Sequence, residues 1–300
     1  MTRDQIIMAA FLDMGLYAPG ETPTVEEYNN AALRLNMMIK AWQAAGVGLW
    51  LLREATLFYV PGQGTYRLGA GGDRFALDAG HTTLAVAANA GASQVTVAST
   101  SGMVTGSYIG ICTSPIAIQW FTVSGISGSV VTLSDSLTTG APVGSKVHFY
   151  TTTSPRPLDV VEARDCGDYE LQIYRISYDD YQRVPAKTIT GRPNQFCYIP
   201  TLGTGTLYLW PISDSVERWL ELSIRLPIQI FETANDNPEF PSEWFNALHF
   251  GLARELSPMF GVPPERYALI LSEAERALDA ANGFDRERGV SIWLAPELRR

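Results

Sequence analysis

Apolar residues near both ends of the chain recur at the three- and four-residue spacing of a helix face. This pattern predicts a helix over residues 3–16 and a second over residues 24–45, where Thr24 and Glu27 form a capping-box pair. Towards the C-terminus it predicts one helix that begins at Ser242 and another that begins at Pro264. Each helix has a single apolar stripe, so we expect the helices to pack on one another as a hub.

The residues between these helices have the alternation and the glycine punctuation of β-structure. Strands are predicted on both sides of the turn at 61–64 and again between residues 160 and 226. Residues 80–150 are rich in Gly, Ser, Thr and Val. Within them the pair of segments 93–97 and 108–111 looks like the pair 129–133 and 146–150. We expect this stretch to be a small β-sandwich or barrel.

The fold class predicted from these patterns is α+β. It consists of a helical hub formed by N- and C-terminal helices, a β domain that carries the inserted β module, and an extended C-terminal arm. The predicted boundaries are 1–58 for the N-terminal helices, 59–79 with 151–241 for the β domain, 80–150 for the inserted module, 242–283 for the C-terminal helices and 284–300 for the arm.

Composition narrows the class of protein. With 46% hydrophobic and 18% charged residues, the chain is able to bury a core. Its net charge of -9 argues against a protein that clamps nucleic acid with a basic stripe. Residues 82–134 carry no charged side chain or histidine, but polar residues throughout them argue against a bilayer helix, and the N-terminus has no signal-peptide pattern. We therefore expect no membrane partner.

Candidate catalytic chemistry is sparse. His81, His148 and His249 have no partner at a motif spacing, and the three cysteines lack metal-site spacing. We therefore expect a protein that is not an enzyme and has no cofactor or metal. One alternative is a cell-wall hydrolase that uses Glu239 and Glu243 as a carboxylate pair. The competing interpretation is that these acids complement the dipole at a helix start.

A second alternative is a carbohydrate- or receptor-binding tail module built on residues 80–150. Trp120 and Phe121 would then form the sugar platform. Consecutive residues of a strand point to opposite faces, which predicts that one of these two side chains lies in a core.

The tail after the last predicted helix mixes charged residues with apolar ones. Apolar side chains beyond the end of a helix have no evident place in the protein's own core, and tryptophan is a common interface anchor. We predict that residues 284–300 dock in a partner's groove. The competing prediction is that they fold back on the chain's own β domain.

Several short segments, taken in order, carry a resemblance to a known family. They are 18–21 (APGE) with 25–27 (VEE), 61–68 (PGQGTYRL), 156–158 (RPL), 191–193 (GRP) with 210–211 (WP), and 240–244 (FPSEW). Together they resemble the head-to-tail adaptor family of short-tailed phages, also called packaged-DNA stabilisation or tail accessory proteins. The resemblance spans most of the chain, and residues 80–150 look like an insertion that some members carry.

The resemblance implies a structural virion protein of the phage neck that assembles in the host cytoplasm. Its partners would be the portal protein, the tail nozzle, tail fibre proteins and further copies of itself in a ring, usually a dodecamer. The ring would seal the packaged head and extend a channel through which double-stranded DNA passes without specific binding. The resemblance assigns portal docking to the arm, and the candidate residues are Arg286, Arg288, Val290, Ile292, Trp293, Leu294, Arg299 and Arg300.

Overall fold

The computed structural model describes residues 1–18, 20–46, 51–228, 230–233, 235–236 and 240–284. The described chain has an α+β fold, as the sequence predicts. It divides into a helical unit, made of the residues up to Leu51 and from Ile228 onwards, and a β unit, Leu52–Pro227. None of the helices in the described ranges is long and apolar enough to cross a bilayer.

The helical unit is built from both ends of the chain. At its second helix the Thr24 hydroxyl accepts a hydrogen bond from the Glu27 backbone N–H, and the Glu27 carboxylate accepts one from the Thr24 N–H. These two bonds satisfy donors that the first turn leaves open, so the start of the helix is fixed locally and as predicted. Its long helices are α1 (Arg3–Met14), α2 (Val25–Ala44), α4 (Phe245–Phe260) and α5 (Pro264–Phe284), with α3 in the β unit.

The apolar stripes of these helices meet in one core. Phe11 of α1, Leu35 of α2 and Leu252 of α4 are fully buried in it. The segment that follows the β unit also belongs here, because Phe231 and Phe240 lie in the same core. The sequence-based division placed residues up to 241 in the β domain instead. The apolar residues of this segment do not recur at a regular spacing, so the sequence does not indicate whether they belong to the helical core or to the sheet core.

The β unit contains an eight-stranded sheet that is antiparallel except for one parallel pair, β11 with β13. In spatial order its strands are β2 (Thr65–Leu68), β14 (Gly205–Trp210), β13 (Gln195–Ile199), β11 (Leu171–Arg175), β10 (Asp159–Cys166), β16 (Trp219–Arg225), β1 (Leu52–Phe58) and β3 (Phe75–Ala76). Residues 52–58, which the sequence-based division grouped with the helices, form β1. They pair with β16 along their whole length, a long-range contact that local periodicity does not report.

Three short elements complete this part of the β unit. The helix α3 (Tyr178–Arg183) begins at Ser177, whose hydroxyl accepts a hydrogen bond from the Asp180 N–H. β12 (Thr190–Gly191) and β15 (Ile212–Ser213) form a separate parallel pair.

The inserted module is a six-stranded sheet that closes on itself. Its order is β4 (Gly80–Thr83), β9 (Lys146–Tyr150), β6 (Tyr108–Ser114), β7 (Ala117–Ser127), β8 (Val130–Leu133) and β5 (Gln94–Thr96). The first and last strands are joined by a bridge between Leu84 and Val97, with backbone hydrogen bonds on either side of it. Of the two forms predicted, sandwich or barrel, the structure shows a nearly closed barrel with its own apolar core.

The two similar halves noted in the sequence have a structural counterpart in this barrel. If β4, β5 and β6 are exchanged with β7, β8 and β9, every strand keeps equivalent neighbours around the ring. Leu84 exchanges two backbone hydrogen bonds with residues 144–145, and Val123 exchanges the same two with residues 106–107. The barrel therefore has two-fold topological pseudosymmetry.

Candidate functional site

The β unit encloses a buried ionic cluster centred on Asp165 of β10. This carboxylate is fully buried, and it accepts hydrogen bonds from the Tyr59 hydroxyl at 2.7 Å and from the Arg192 guanidinium. Arg218 lies 3.6 Å away and also pairs with Asp214. Burial and the neighbouring carboxylate raise the pKa of Tyr59 well above its ordinary value, so this hydroxyl stays protonated as a donor. We interpret the cluster as structural, because each charge is already paired.

A second polar cluster lies where the barrel meets the eight-stranded sheet. His81 of β4 and His148 of β9 are register partners, and their Nδ1 atoms are 2.8 Å apart. The His81 ring stacks on Trp219 of β16 with a centroid distance of 3.6 Å, and Phe58 of β1 contacts both imidazoles. Nε2 of His148 lies 3.1 Å from the carbonyl oxygen of Val216. Sequence spacing gave no reason to pair these histidines; the sheet register brings them together.

The proposed hydrolase pair is only partly within the described residues. Glu239 lies outside them, and Glu243 sits in the 3-10 turn Ser242–Trp244 that precedes α4. The nearby Asp236 carboxylate accepts hydrogen bonds from the backbone N–H groups of Glu232 and Thr233, at 2.6 and 2.7 Å. The hydrogen bond that the Thr233 hydroxyl donates to Asp236, together with these two backbone bonds, lowers the pKa of Asp236 and holds the turn together. Within the described chain, no group of three or more His, Cys, Asp or Glu residues has metal-site geometry.

The proposed sugar platform is divided between two cores. Phe121 packs against the barrel interior, whereas Trp120 packs between the barrel and the sheet beside Phe58 and Tyr150. The Arg74 guanidinium lies 4.5 Å from the Trp120 ring centre. The two aromatic side chains therefore lie on opposite faces of β7, as strand alternation predicts, and do not form one platform.

No protein-family model and no curated protein matches this sequence. Two solved structures with partial similarity are phage tailspikes. The tailspike gp61 of Pseudomonas phage phi297 is 20% identical, with a TM-score of 0.22, and the match covers 23% of this chain and 14% of the tailspike. The gp54 tailspike of Acinetobacter baumannii bacteriophage AP22, in complex with capsular saccharide, is 16% identical, with a TM-score of 0.23 and coverage of 26% and 16%. This chain spans only a small part of either tailspike, and similarity at this level establishes neither a common fold nor a common function.

An exposed aromatic surface lies on the outer face of the eight-stranded sheet. Tyr174 of β11 and Trp210 of β14 are both register partners of Gln195 on β13, so they lie in one row across the sheet, about 10 Å apart. Tyr178 of α3 packs on Tyr208, two residues from Trp210 on the same face of β14. Tyr174 is 68% exposed and Tyr178 is 43% exposed. We call Tyr174, Tyr178, Tyr208 and Trp210 the tyrosine surface.

The tyrosine surface was missed in the sequence because its members come from three separate elements. Exposed tyrosines with a flat apolar ring and one polar end are common at protein interfaces. The arm residues assigned to portal docking, Arg286 to Arg300, lie outside the described residues, so their role stays a prediction. Tyr174 and Tyr178 are exposed and Tyr208 and Trp210 are half-buried, so the tyrosine surface is a candidate interaction surface.

Proposed function

We propose that this chain is a structural virion protein, the adaptor ring subunit that joins the portal of a short-tailed phage to its tail nozzle. The observation that carries the proposal is the position of the residues on which the resemblance rests. Arg192 binds the buried Asp165, Tyr66 is fully buried in the sheet core, and Trp244 is buried in the helical core. The similar segments thus contribute buried side chains to both units.

The outward-facing apolar side chains support an assembly role. The tyrosine surface offers large rings with little conformational entropy to lose on binding. On α2 of the helical unit, Leu33 and Met37 lie one turn apart and are each 56% exposed. Subunits of a ring need contact surfaces on two sides, because a ring closes through head-to-tail interfaces.

Co-sedimentation with the portal ring of the same phage tests this proposal. The full chain should sediment with the portal, and deletion of residues 284–300 should abolish the association if the arm docks there. Absence of binding by the full-length chain would overturn the adaptor proposal.

The tyrosine surface is tested in the same assay. Tyr174→Glu with Tyr178→Glu should reduce the number of copies bound per portal, because charges are then placed where a neighbouring subunit packs. Leu202→Glu is a matched control, since Leu202 is fully exposed in the loop between β13 and β14. An equal effect of the tyrosine pair and Leu202→Glu would argue against this surface as an interface.

A further inference from the structure

The hydrogen bonds of the histidine pair determine where its protons lie. The Val216 carbonyl oxygen accepts only, so Nε2 of His148 carries the proton that it donates at 3.1 Å. In the neutral ring Nδ1 of His148 is then an acceptor, and Nδ1 of His81, 2.8 Å away, must donate to it. Two neutral imidazoles, each in a single tautomer, thus satisfy these hydrogen-bonding groups at the junction between barrel and sheet.

A doubly protonated pair does not fit this arrangement. With a proton on each Nδ1, two N–H groups and two positive charges would face each other at 2.8 Å. Each ring is also held on the sheet side, His81 by stacking on Trp219 and His148 by the Val216 carbonyl. His81 is exposed, but the His148 ring is 1% exposed and lies against Phe58 and Trp219 of the sheet, so a charged His148 reaches water only when the barrel strands move away from the sheet.

The charged groups around the pair do not offset a positive charge on it. Burial lowers the pKa of His148 to about 4, and the Lys146 ammonium on β9 contributes to this value. Partial burial, His148 and Lys146 also lower the pKa of His81. Among the described residues, no carboxylate forms an ion pair with either imidazole. Among the charged groups on the neighbouring elements, Asp78 accepts hydrogen bonds from the Thr151 and Thr152 N–H groups, Glu217 follows Val216 in sequence, and Arg74 stacks on Trp120.

We propose that His81 and His148 form an acid-sensitive latch, which holds the barrel against the eight-stranded sheet at neutral pH and releases it when the rings take up protons. The docked form binds fewer protons than the released form, because both docked pKa values lie below the ordinary value of 6.5. The contribution of the pair to docking is therefore fully present above about pH 6.5 and is lost as the pH falls towards 4. About two pH units below the ordinary value, this difference at His148 favours release by up to roughly a hundredfold, and the exposed His81 adds less.

The exposure of the Cys112 thiol should show whether this junction is closed or released. Its side chain is buried, and its Sγ lies 3.5 Å from the same Val216 carbonyl oxygen that His148 binds. The other two thiols, Cys166 and Cys197, are buried in strands of the eight-stranded sheet. Release of the barrel should expose Cys112 and leave Cys197 protected, whereas global unfolding should expose both. Cys166 is the register partner of Trp219 at the junction and is therefore not a control.

The test uses the full chain and 4,4′-dithiodipyridine, which reacts with thiols in acid, followed by peptide mapping. Between neutral pH and about pH 4.5, we expect labelling of Cys112 to rise at least tenfold relative to Cys197. Simultaneous labelling of Cys112 and Cys197, or of neither, would overturn the latch.

The variant that removes titration is His81→Phe with His148→Gln. Phenylalanine keeps a ring against Trp219, and glutamine keeps an N–H donor for the Val216 carbonyl. This variant should lose the acid-dependent labelling of Cys112, and persistent labelling would contradict the proposal. His249→Gln is the control, because His249 pairs with Asp13 in the helical unit and should not affect the response. If the double variant does not fold, His148→Gln alone should still lower the acid response at least tenfold, because it removes the buried titrating ring, and an unchanged response would count against the latch.

Discussion

Two polar clusters of the β unit, centred on buried Asp165 and buried His148, meet the cost of desolvation in opposite ways. Around Asp165 the charges are retained, and two guanidinium groups and a hydroxyl surround the carboxylate. Around His148 the charge is absent, and neutral rings bond to one another and to a carbonyl. The difference arises because an arginine keeps its proton throughout the physiological range, whereas an imidazole loses it at little cost near neutrality.

This contrast separates two kinds of polar burial. The ionic cluster joins strands within one sheet, where burial without pairing would be very costly. The histidine cluster joins the barrel to that sheet, where a neutral pair is stable at pH 7 and becomes unfavourable in acid. The permanent charges therefore lie in the region of the eight-stranded sheet, and the titratable pair lies at the junction between that sheet and the barrel.

Removal of the central carboxylate should have the largest effect. We expect Asp165→Ala to lower the free energy of unfolding by about 3–5 kcal/mol, because Arg192 and Arg218 would then lose their buried partner. Urea unfolding at neutral pH, followed by circular dichroism, measures this change. The matched control is Asp214→Ala, which removes the half-exposed partner of Arg218 and should cost less than about 1 kcal/mol. Similar losses in both variants would show that the buried carboxylate of Asp165 contributes no more to stability than the half-exposed carboxylate of Asp214.

The neutral cluster should be less sensitive to the loss of one member. We expect His148→Leu to cost about 2–3 kcal/mol, because the Val216 carbonyl and the His81 N–H both lose a partner without any charge being left behind. His148→Gln should recover about half of this loss, since its amide restores a donor for the carbonyl. The same unfolding measurement at neutral pH compares the two variants. Equal losses would mean that packing of the ring, and not hydrogen bonding, is what His148 contributes.

The sequence correctly predicts the features that depend on residues close to one another in the chain. The start of α2 follows from Thr24 and Glu27, three residues apart, and the turn at 61–64 and the strand β2 follow from a similarly short segment. The polar clusters depend on distant pairs: Tyr59 and Asp165 are 106 residues apart, and His81 and His148 are 67 apart. Their contacts are set by strand order, which single-residue patterns do not encode. The docking role of residues 284–300 rests on composition and resemblance and remains a prediction.

The strand that positions His81 depends on a close approach next to it. A Cβ atom at Gly80 would overlap the ring of Phe149, its register partner on β9. We expect Gly80→Ala to cost about 1–2 kcal/mol, because the buried Phe149 ring has to shift within the barrel core. In the same barrel Gly125→Ala should be close to neutral, as a Cβ there meets no atom within 4 Å. Thermal unfolding of both variants tests this difference, and equal midpoints would show that the ring moves freely.

The smallest expected effect tests how neighbouring charge adjusts the neutral cluster. Lys146 lowers the pKa of both histidines, so Lys146→Met should let the docked rings accept protons more readily. The released form then has less advantage in acid, and the midpoint for Cys112 labelling should move to lower pH by a fraction of a unit. Asp168→Asn is the opposing control, because Asp168 lies 3.3 Å from the Lys146 ammonium and partly offsets its charge. Its loss should leave the midpoint unchanged or move it to higher pH, since this exposed pair is screened by solvent. A shift of both variants in the same direction would mean that the charge of Lys146 does not act on the rings, and that the acid response depends on burial and on the contact between the two imidazoles alone.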